Sequence, residues 1–243
     1  MTSSPYVTAK DVFWCMSDDR IVFFDLSRDK YTFLSRRNTR AALSLLPKDF
    51  TSEAISERDV SAARGEETSR VAKALLNAGL LAPGEGTESN FSSFRIGAPE
   101  ATLLSEAGQP PPSIRLGHLT AFLYASITAS WKLRSYSLHR TVRSIQRRRQ
   151  RHADALPGDR DRDAIRELVA VFHHLRPYYV RKYLCLFDSL ALVEFLALYH
   201  LYPKWVFGVR TEPFNSHCWV QEGARVLNDS VESVCGYTPI VAI

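Results

Sequence analysis

Three side chains in the C-terminal part of the chain have the types needed for nucleophilic catalysis. They are a thiol, an imidazole and a carboxylate, and they follow one another as Cys185, His217 and Asp229. In such a set the histidine activates the cysteine sulfur, and the carboxylate orients the histidine. We therefore predict Cys185 as the nucleophile, His217 as the acid and base, and Asp229 as the orienting group. Asn228 is the alternative third member, because asparagine orients the histidine in papain-like enzymes.

The segment that begins at Cys185 is predicted to be a helix in the protein core. Apolar residues recur at helical spacing after the cysteine, at positions 186, 190, 193 and 197. A cysteine at the start of a helix has a lowered pKa, because the unpaired N–H groups and the helix dipole favour the thiolate. Asp188 lies one turn into this helix and would oppose thiolate formation if it faced the sulfur. We expect its carboxylate to point away from Cys185.

The residues after this helix are predicted to form three strands, at 205–210, 214–220 and 225–228. If residues 222–224 form the loop of a hairpin, Gln221 pairs with Arg225 and His217 faces Asp229 across the two strands. A shift of the register by one residue, through a two-residue loop, places Asn228 opposite His217 instead. Both registers give the imidazole an orienting partner.

Single cysteines and histidines are more often ordinary core residues than functional ones. A metal site lacks the paired short spacing of metal ligands, and adjacent residues of a strand point to opposite faces. We therefore expect no metal and no cofactor. The residues considered for a metal were Cys185, His217, Cys218 and Cys235, and separately His173 and His174, which face different directions on a helix.

The N-terminal part has a different pattern, which predicts a small domain over residues 1–82. Three short apolar strands at 12–16, 20–26 and 31–35 precede a helix capped by Ser35 or Asn38 that ends before Pro47. A short helix is expected within 51–64, and a longer one is expected to begin at Thr68 or Ser69 and to end at Gly79. Residues 83–115 are rich in glycine and proline and are predicted to be a linker to a domain at 116–243, with a strand possible around 91–96.

Residues 116–151 are predicted to form one long helix with an apolar stripe and a basic end. The segment 119–131 is too short and too polar for a membrane span, which indicates a core helix. The six arginines between 140 and 151 are interpreted as a solvated helix end in preference to a patch for an acidic partner. The predicted stripe consists of Leu119, Phe122, Leu123, Ile127, Trp131, Leu138, Val142 and Ile145.

Composition favours an ordinary soluble globular chain, and the order of the predicted strands and helices favours an α+β fold. Of 243 residues, 45% are hydrophobic and 23% are charged, and the net charge of +5 is too small to indicate a nucleic-acid partner. The N-terminus lacks the basic and apolar regions of a signal peptide, and the four cysteines form no spaced framework. We expect a cytoplasmic protein with reduced thiols and neither a nucleic-acid nor a membrane partner.

Residues 116–243 resemble the transglutaminase-like cysteine peptidases that process lasso-peptide precursors. The resemblance implies a transglutaminase-like, papain-like domain of helices and antiparallel sheet, with Cys185, His217 and Asp229 as its triad. The matching residues are Cys185-Leu186, Ser189-Leu190-Ala191-Leu192, Gly208-Val209-Arg210, Pro213-Phe214, His217 with Trp219-Val220, and Val226-Leu227-Asn228-Asp229.

The N-terminal domain resembles the winged-helix-type recognition element for precursor peptides, here fused to the peptidase. This resemblance implies that the leader of the precursor adds as a strand beside the third strand and packs on the last helix. The implied leader-binding residues are Tyr31, Thr32, Phe33, Leu34, Val71, Ala74, Leu75 and Ala78.

Together the two resemblances imply a leader peptidase of lasso-peptide antibiotic biosynthesis. Its implied partners are the precursor peptide, with a threonine near the end of the leader, and an ATP-dependent lasso macrolactam synthetase. Two alternatives remain open: an acyltransferase with the same triad, and a non-catalytic protein that presents the precursor.

Overall fold

The computed structural model describes residues 6–46, 65–84, 96–104, 111–152 and 159–243. The chain forms two compact units. The first comprises residues 1–94 with 211–213, and the second comprises residues 95–210 with 214–243.

The first unit contains the three predicted strands and a separate pair of short strands. The strands are β1 (Tyr6–Thr8), β2 (Val12–Ser17), β3 (Arg20–Asp25), β4 (Lys30–Phe33) and β5 (Leu81–Pro83). The three predicted strands form one antiparallel sheet in the order β2-β3-β4, and β1 pairs with β5, also antiparallel. Asp18 and Asp19 turn the chain between β2 and β3 with positive φ angles of 48° and 60°, a conformation that aspartate tolerates better than most residues.

Two helices complete the described part of the first unit. Ser35 caps α1 (Arg36–Leu43) by accepting a hydrogen bond from the Asn38 N–H, and the helix ends three residues earlier than predicted. The second helix, α2 (Gly65–Asn77), includes the predicted cap residues Thr68 and Ser69 within its span. Gly79 ends it with φ +70°, as expected of a C-terminal glycine. The helix expected within 51–64 lies outside the described residues.

The second unit consists of helices packed on a five-stranded sheet, within the described residues. The helices are α3 (Leu116–Ser135), α4 (Leu138–His152), α5 (Asp159–Leu175), α6 (Cys185–Ala197) and α7 (Val231–Cys235). The strands are β6 (Ala101–Thr102), β7 (Lys204–Thr211), β8 (Phe214–Glu222), β9 (Arg225–Val226) and β10 (Thr238–Ala242), and they lie in the order β10-β7-β8-β9-β6. Helix α6 packs against both α3 and β8, and it is buried almost all round.

Part of the segment predicted as a linker belongs to this sheet. Strand β6 pairs in parallel with β9, and the Leu103 N–H donates to the Val226 carbonyl at 2.8 Å. The strand suggested around 91–96 falls almost entirely outside the described residues, and Ile96 is not in a strand. Residues 96–104 are therefore built onto the second unit.

The long helix predicted over residues 116–151 is two helices, because the backbone of Tyr136 is extended. The predicted apolar stripe was also wrong for α3, except at Phe122, which is buried. Its buried face is formed by small residues around Phe122, whereas the larger apolar residues face solvent, since small side chains let α6 approach closely. Among the described residues, no helix has the length and apolarity to cross a bilayer. The buried residues include Ala125, Ser126 and Ala129, and the exposed ones are Leu119, Leu123, Ile127 and Trp131.

A buried carboxylate joins three helices of the second unit. Glu194 of α6 accepts hydrogen bonds from Lys132 Nζ at 2.9 Å and from Arg148 Nη1 at 2.8 Å. The side chain of Glu194 is 6% exposed, so its charge depends on these two cations from α3 and α4. Arg148 is one of the six arginines interpreted as solvated, and for this arginine the interpretation was wrong.

Candidate active site

Helix α6 begins at Cys185, as the apolar spacing predicted. Leu184 precedes it with an extended backbone and supplies no side-chain cap. The first N–H groups of a helix have no acceptor within the helix, and they give this end a partial positive charge. The thiol of Cys185 is exposed to solvent at this end. An anionic sulfur is therefore favoured where a substrate can reach it.

The carboxylate of Asp188 is occupied by partners other than the thiol. Its Oδ2 accepts a hydrogen bond from the Leu184 N–H at 2.8 Å, and its Oδ1 pairs with Nε of Arg176. Arg176 is 2% exposed and also donates to the carbonyls of Arg181 and Lys182. The buried guanidinium balances the negative charge of Asp188, so this carboxylate anchors the start of α6 without opposing a thiolate.

His217 of β8 is held by Asp229. The two side chains meet at 2.5 Å between His217 Nε2 and Asp229 Oδ2. The other oxygen, Oδ1, accepts from the Ser230 N–H at 2.8 Å, and the Asp229 carbonyl accepts from Thr102 Oγ1 at 2.6 Å. Because Nε2 is taken by the carboxylate, Nδ1 is the nitrogen left for the sulfur of Cys185.

The contact does not arise from the predicted hairpin register, which was wrong. Glu222 pairs with Arg225 and Gln221 with Val226, so the loop has two residues, Gly223 and Ala224. The alternative register also had a two-residue loop, but the observed shift is in the other direction and does not place Asn228 opposite His217. Strand β9 ends at Val226, two residues earlier than predicted. Asp229 reaches His217 from the connection that precedes α7, and not from a position opposite it in the ladder.

Asn228, the alternative third member, does a different job. Its Oδ1 accepts from the Val220 N–H at 2.7 Å, and its Nδ2 donates to Ser189 Oγ at 2.9 Å. Ser189 in turn donates to the Cys218 carbonyl at 3.1 Å. These bonds link the nucleophile helix, the histidine strand and the connection that carries Asp229.

Cys218 also lies near Cys185, which the sequence did not predict. The thiol and the backbone N–H of Cys218 are close enough to the Cys185 sulfur to lower its pKa, and so is the imidazole of His217. Alternation along β8 suggested that His217 and Cys218 serve opposite faces. The sulfur is influenced by both because it faces the backbone of the strand as well as its side chains.

The electrostatics of the site favour a thiolate and an imidazolium. The Cys218 thiol and then His217 lower the pKa of Cys185 to about 4, against the opposing effect of burial. Burial disfavours a charged His217, but Asp229 and Cys185 outweigh it and raise the pKa of the imidazole to about 9. Burial raises the pKa of Asp229, but the hydrogen bonds from His217 and the Ser230 N–H, together with the charge of His217, outweigh it and lower the pKa of that carboxyl. Neutral pH lies between the first two values.

Two aromatic rings frame the imidazole. Trp219 lies parallel to His217 with a centroid separation of 6.1 Å, and Tyr237 lies 5.1 Å away. A Cβ at Gly208 would come within 2.8 Å of the Trp219 ring, so this strand position needs glycine. Tyr237 was missed by the sequence analysis, since a lone tyrosine ahead of the last strand carries no distinguishing pattern.

The surface next to Cys185 is open and exposes apolar side chains together with the charged Arg181 and Lys182. The chain that leads into α6 exposes large side chains, with Val180 fully exposed and Tyr183 65% exposed. Tyr178 and Leu184 are exposed as well. Such an open site suits an extended polymer better than a small enclosed molecule.

Within the described parts of the chain, no cluster of three or more histidine, cysteine or acidic side chains is arranged to hold a metal.

The predicted leader-binding residues lie in the first unit and differ in exposure. Strand β4 is the last strand in the described sheet order, with Tyr31, Thr32 and Leu34 half-buried and Phe33 37% exposed. Ala74 on α2 and Ala78 directly after this helix are exposed. Two of the predicted residues, Val71 and Leu75, are at most 5% exposed and belong to the core of this unit, so they are not accessible to a peptide.

Comparison with known proteins supports the same region. A segment of the chain is 46% identical over 46 residues to the microcin J25-processing protein McjB of Escherichia coli, covering 19% of this chain and 22% of that protein. The match thus spans about a fifth of the relative's length. No solved structure matches the chain significantly. Residues 123–242 match the model of the transglutaminase-like superfamily, and they form a transglutaminase-like domain.

Proposed function

We propose that this chain is a cysteine peptidase that removes the leader from the precursor of a ribosomally made lasso peptide. The observation that carries the proposal is the meeting of Cys185, His217 and Asp229 at the start of α6. The partial similarity to a protein named for processing microcin J25 supports the choice of substrate class.

The first half of the reaction forms an acyl-enzyme. The Cys185 thiolate attacks the carbonyl carbon at the leader–core junction, and N–H groups at the start of α6 stabilise the oxyanion. The imidazolium of His217 then donates its proton to the departing amine of the core peptide. The leader remains attached to Cys185 as a thioester.

The second half releases the leader. His217, now neutral, takes a proton from water, and the resulting hydroxide attacks the thioester carbonyl. The leader leaves with a free carboxylate, and the sulfur returns as a thiolate. Asp229 keeps Nε2 of His217 engaged throughout, so that the other ring nitrogen stays directed at the reacting atoms.

Recognition of the leader is assigned to the first unit, as a winged-helix-like element. The leader adds as a strand along β4, which contains Tyr31, Thr32 and Phe33 and is followed by Leu34. It contacts the exposed Ala74 of α2 and the exposed Ala78 directly after that helix. Backbone hydrogen bonds supply affinity in this mode, and alternate side chains supply specificity. The freed core amine then passes to a separate ATP-dependent macrolactam synthetase.

The test is mass spectrometry of a synthetic lasso precursor peptide incubated with the protein. We expect separate leader and core masses with the wild-type chain and with Cys235→Ala, which removes an exposed thiol of α7 outside the site. We expect only intact precursor with Cys185→Ala. Cleavage that persists in Cys185→Ala would refute a peptidase role for this cysteine.

A second function, acyl transfer, shares the acyl-enzyme and differs only in the group that resolves it. Adding a primary amine such as hydroxylamine to the same incubation distinguishes the two. A peptidase gives the leader carboxylate as the main product, whereas a transferase gives the amine-tagged leader at low amine concentration.

A further inference from the structure

The site contains a second thiol that the proposed peptidase chemistry does not consume. Cys218 is 3% exposed and lies on β8 directly after His217. Ser189, one turn after Cys185 and on the same face of α6, donates to the Cys218 carbonyl at 3.1 Å. The Cys218 thiol is also close enough to the Cys185 sulfur to lower the pKa of Cys185. The packing of α6 on β8 thus makes the two thiols neighbours.

The two thiols differ in environment. Cys185 is exposed at the positive end of a helix and next to an imidazolium, and these are the conditions under which a cysteine reacts with oxidants. Cys218 is buried and stays protonated, because burial holds its pKa well above the usual value. An exposed thiolate beside a protected thiol is the arrangement of a reacting and a resolving cysteine.

We propose that Cys185 and Cys218 form a site of reversible oxidation that takes a hydroperoxide and closes to an intrachain disulfide. The nucleophile is blocked in that disulfide and is regenerated by a dithiol.

The chemistry balances with the peroxide as the named oxidant. The Cys185 thiolate attacks one peroxide oxygen, the O–O bond breaks, and the leaving alkoxide or hydroxide takes up a proton. The sulfur becomes a sulfenic acid, oxidised by two electrons, and the peroxide is reduced. The Cys218 sulfur then attacks the sulfenic sulfur, the S–O bond breaks, and the hydroxyl leaves with the Cys218 proton as water.

Closure protects the nucleophile as well as blocking it. A sulfenic acid without a nearby thiol proceeds to sulfinic and sulfonic acids, which dithiols do not reduce. The bond requires the two sulfur atoms to approach to about 2.05 Å. Because the packing of α6 on β8 already makes the two thiols neighbours, we expect this to be a local adjustment at the start of α6.

The test uses the purified full chain, graded hydrogen peroxide, and mass spectrometry of the intact protein and its peptides. In the wild type we expect the loss of two hydrogen atoms and a peptide pair linked through Cys185 and Cys218, both reversed by dithiothreitol. Cys235→Ala serves as the matched control and should give the same link, since it removes the other exposed thiol.

The variant Cys218→Ala should instead accumulate Cys185 with two or three added oxygen atoms, which dithiothreitol does not remove. Equal over-oxidation of Cys185 in wild type and Cys218→Ala, or a link from Cys185 to Cys235, would overturn the proposal. The wild-type peptide link is informative even if Cys218→Ala folds poorly. Every readout is a mass, so the result is independent of whether the protein cleaves a lasso precursor.

Discussion

The pairing of Cys185 with His217 predicts an unusual dependence of alkylation on pH. An ordinary thiol with a pKa of 9.0 is about 0.1% thiolate at pH 6 and about 9% at pH 8, so its alkylation rate rises about 100-fold over that range. With a pKa of about 4, Cys185 is almost entirely thiolate throughout. We therefore expect its rate constant to change by less than about twofold between pH 6 and pH 8.

The absolute rate follows from the same shift. Lowering the pKa from 9.0 to about 4 increases the thiolate fraction at pH 6 by about 10³-fold. A less basic thiolate is also less nucleophilic, by about 10²- to 300-fold for a shift of this size. Cys185 should thus react about 3- to 10-fold faster than a free thiol at pH 6. It should react more slowly than a free thiol at pH 8, with the two curves crossing near pH 7.

The assay is timed alkylation with iodoacetamide, with the Cys185 peptide quantified by mass spectrometry and a short cysteine peptide as the external comparator. His217→Ala removes the imidazolium, which raises the pKa of the sulfur, so its alkylation should become faster with rising pH. A wild-type rate that climbs about 100-fold between pH 6 and pH 8 would refute the thiolate–imidazolium pair.

Three further predictions concern neighbours of the pair. Asp229→Ala should lower kcat/KM for precursor cleavage by about 10²- to 10⁴-fold, as for other positioned acid–base groups, and Asp229→Asn should retain more activity because its amide oxygen still accepts from Nε2. Ser189→Ala should cost about 1–3 kcal/mol in urea unfolding and lower kcat more than it raises KM, because it leaves the buried Cys218 carbonyl and Asn228 amide without their partner. Glu194→Ala should cost about 3–5 kcal/mol at neutral pH, because it leaves two cations unpaired. Burial raises the pKa of Glu194, but the two flanking cations outweigh it and lower this pKa below 4.5. The stability that Glu194 contributes to the wild type is therefore present above pH 4.5 and is lost as pH falls through the lowered pKa of the folded state. Unfolding curves whose difference between wild type and Glu194→Ala does not depend on acid pH would contradict this.

The start of α6 was predictable because its signal is local. Apolar residues recur at helical spacing after Cys185, at positions 186, 190, 193 and 197. The N-terminal strands and the cap at Ser35 have the same local origin in alternation and in short polar turns. The convergence of His217 and Asp229 was predicted as a pair, but by a register that does not exist.

The register could not be predicted because β9 is only two residues long. The Leu227 N–H still donates to the Val220 carbonyl at 2.8 Å, as it would in a ladder. The Val220 N–H, however, donates to the side-chain Oδ1 of Asn228 and not to a backbone carbonyl. A side chain that substitutes for the ladder leaves no trace in strand periodicity. For the same reason Asn228 was predicted as an alternative partner of the imidazole, whereas its side chain accepts a hydrogen bond from the backbone of β8.

Helix α3 was misassigned for a different reason. Periodicity identifies an apolar face, but α3 has apolar residues on two faces, and size suggested the wrong one. The partner decides which face is buried. Helix α6 selects the small side chains because they permit the closer approach, and a single sequence does not contain that choice.

The solvent-facing side of α3 has a practical consequence for handling the protein. An exposed apolar band runs along about three turns of α3 and consists of Leu119, Leu123, Ile127 and Trp131. The net charge of +5 gives only modest repulsion between molecules. Retention on phenyl resin and light scattering at rising concentration will therefore report on this band. Ile127→Lys should shorten the retention and reduce the increase in scattering with concentration. It should leave the reactivity of the Cys185 thiol at the start of α6 unchanged.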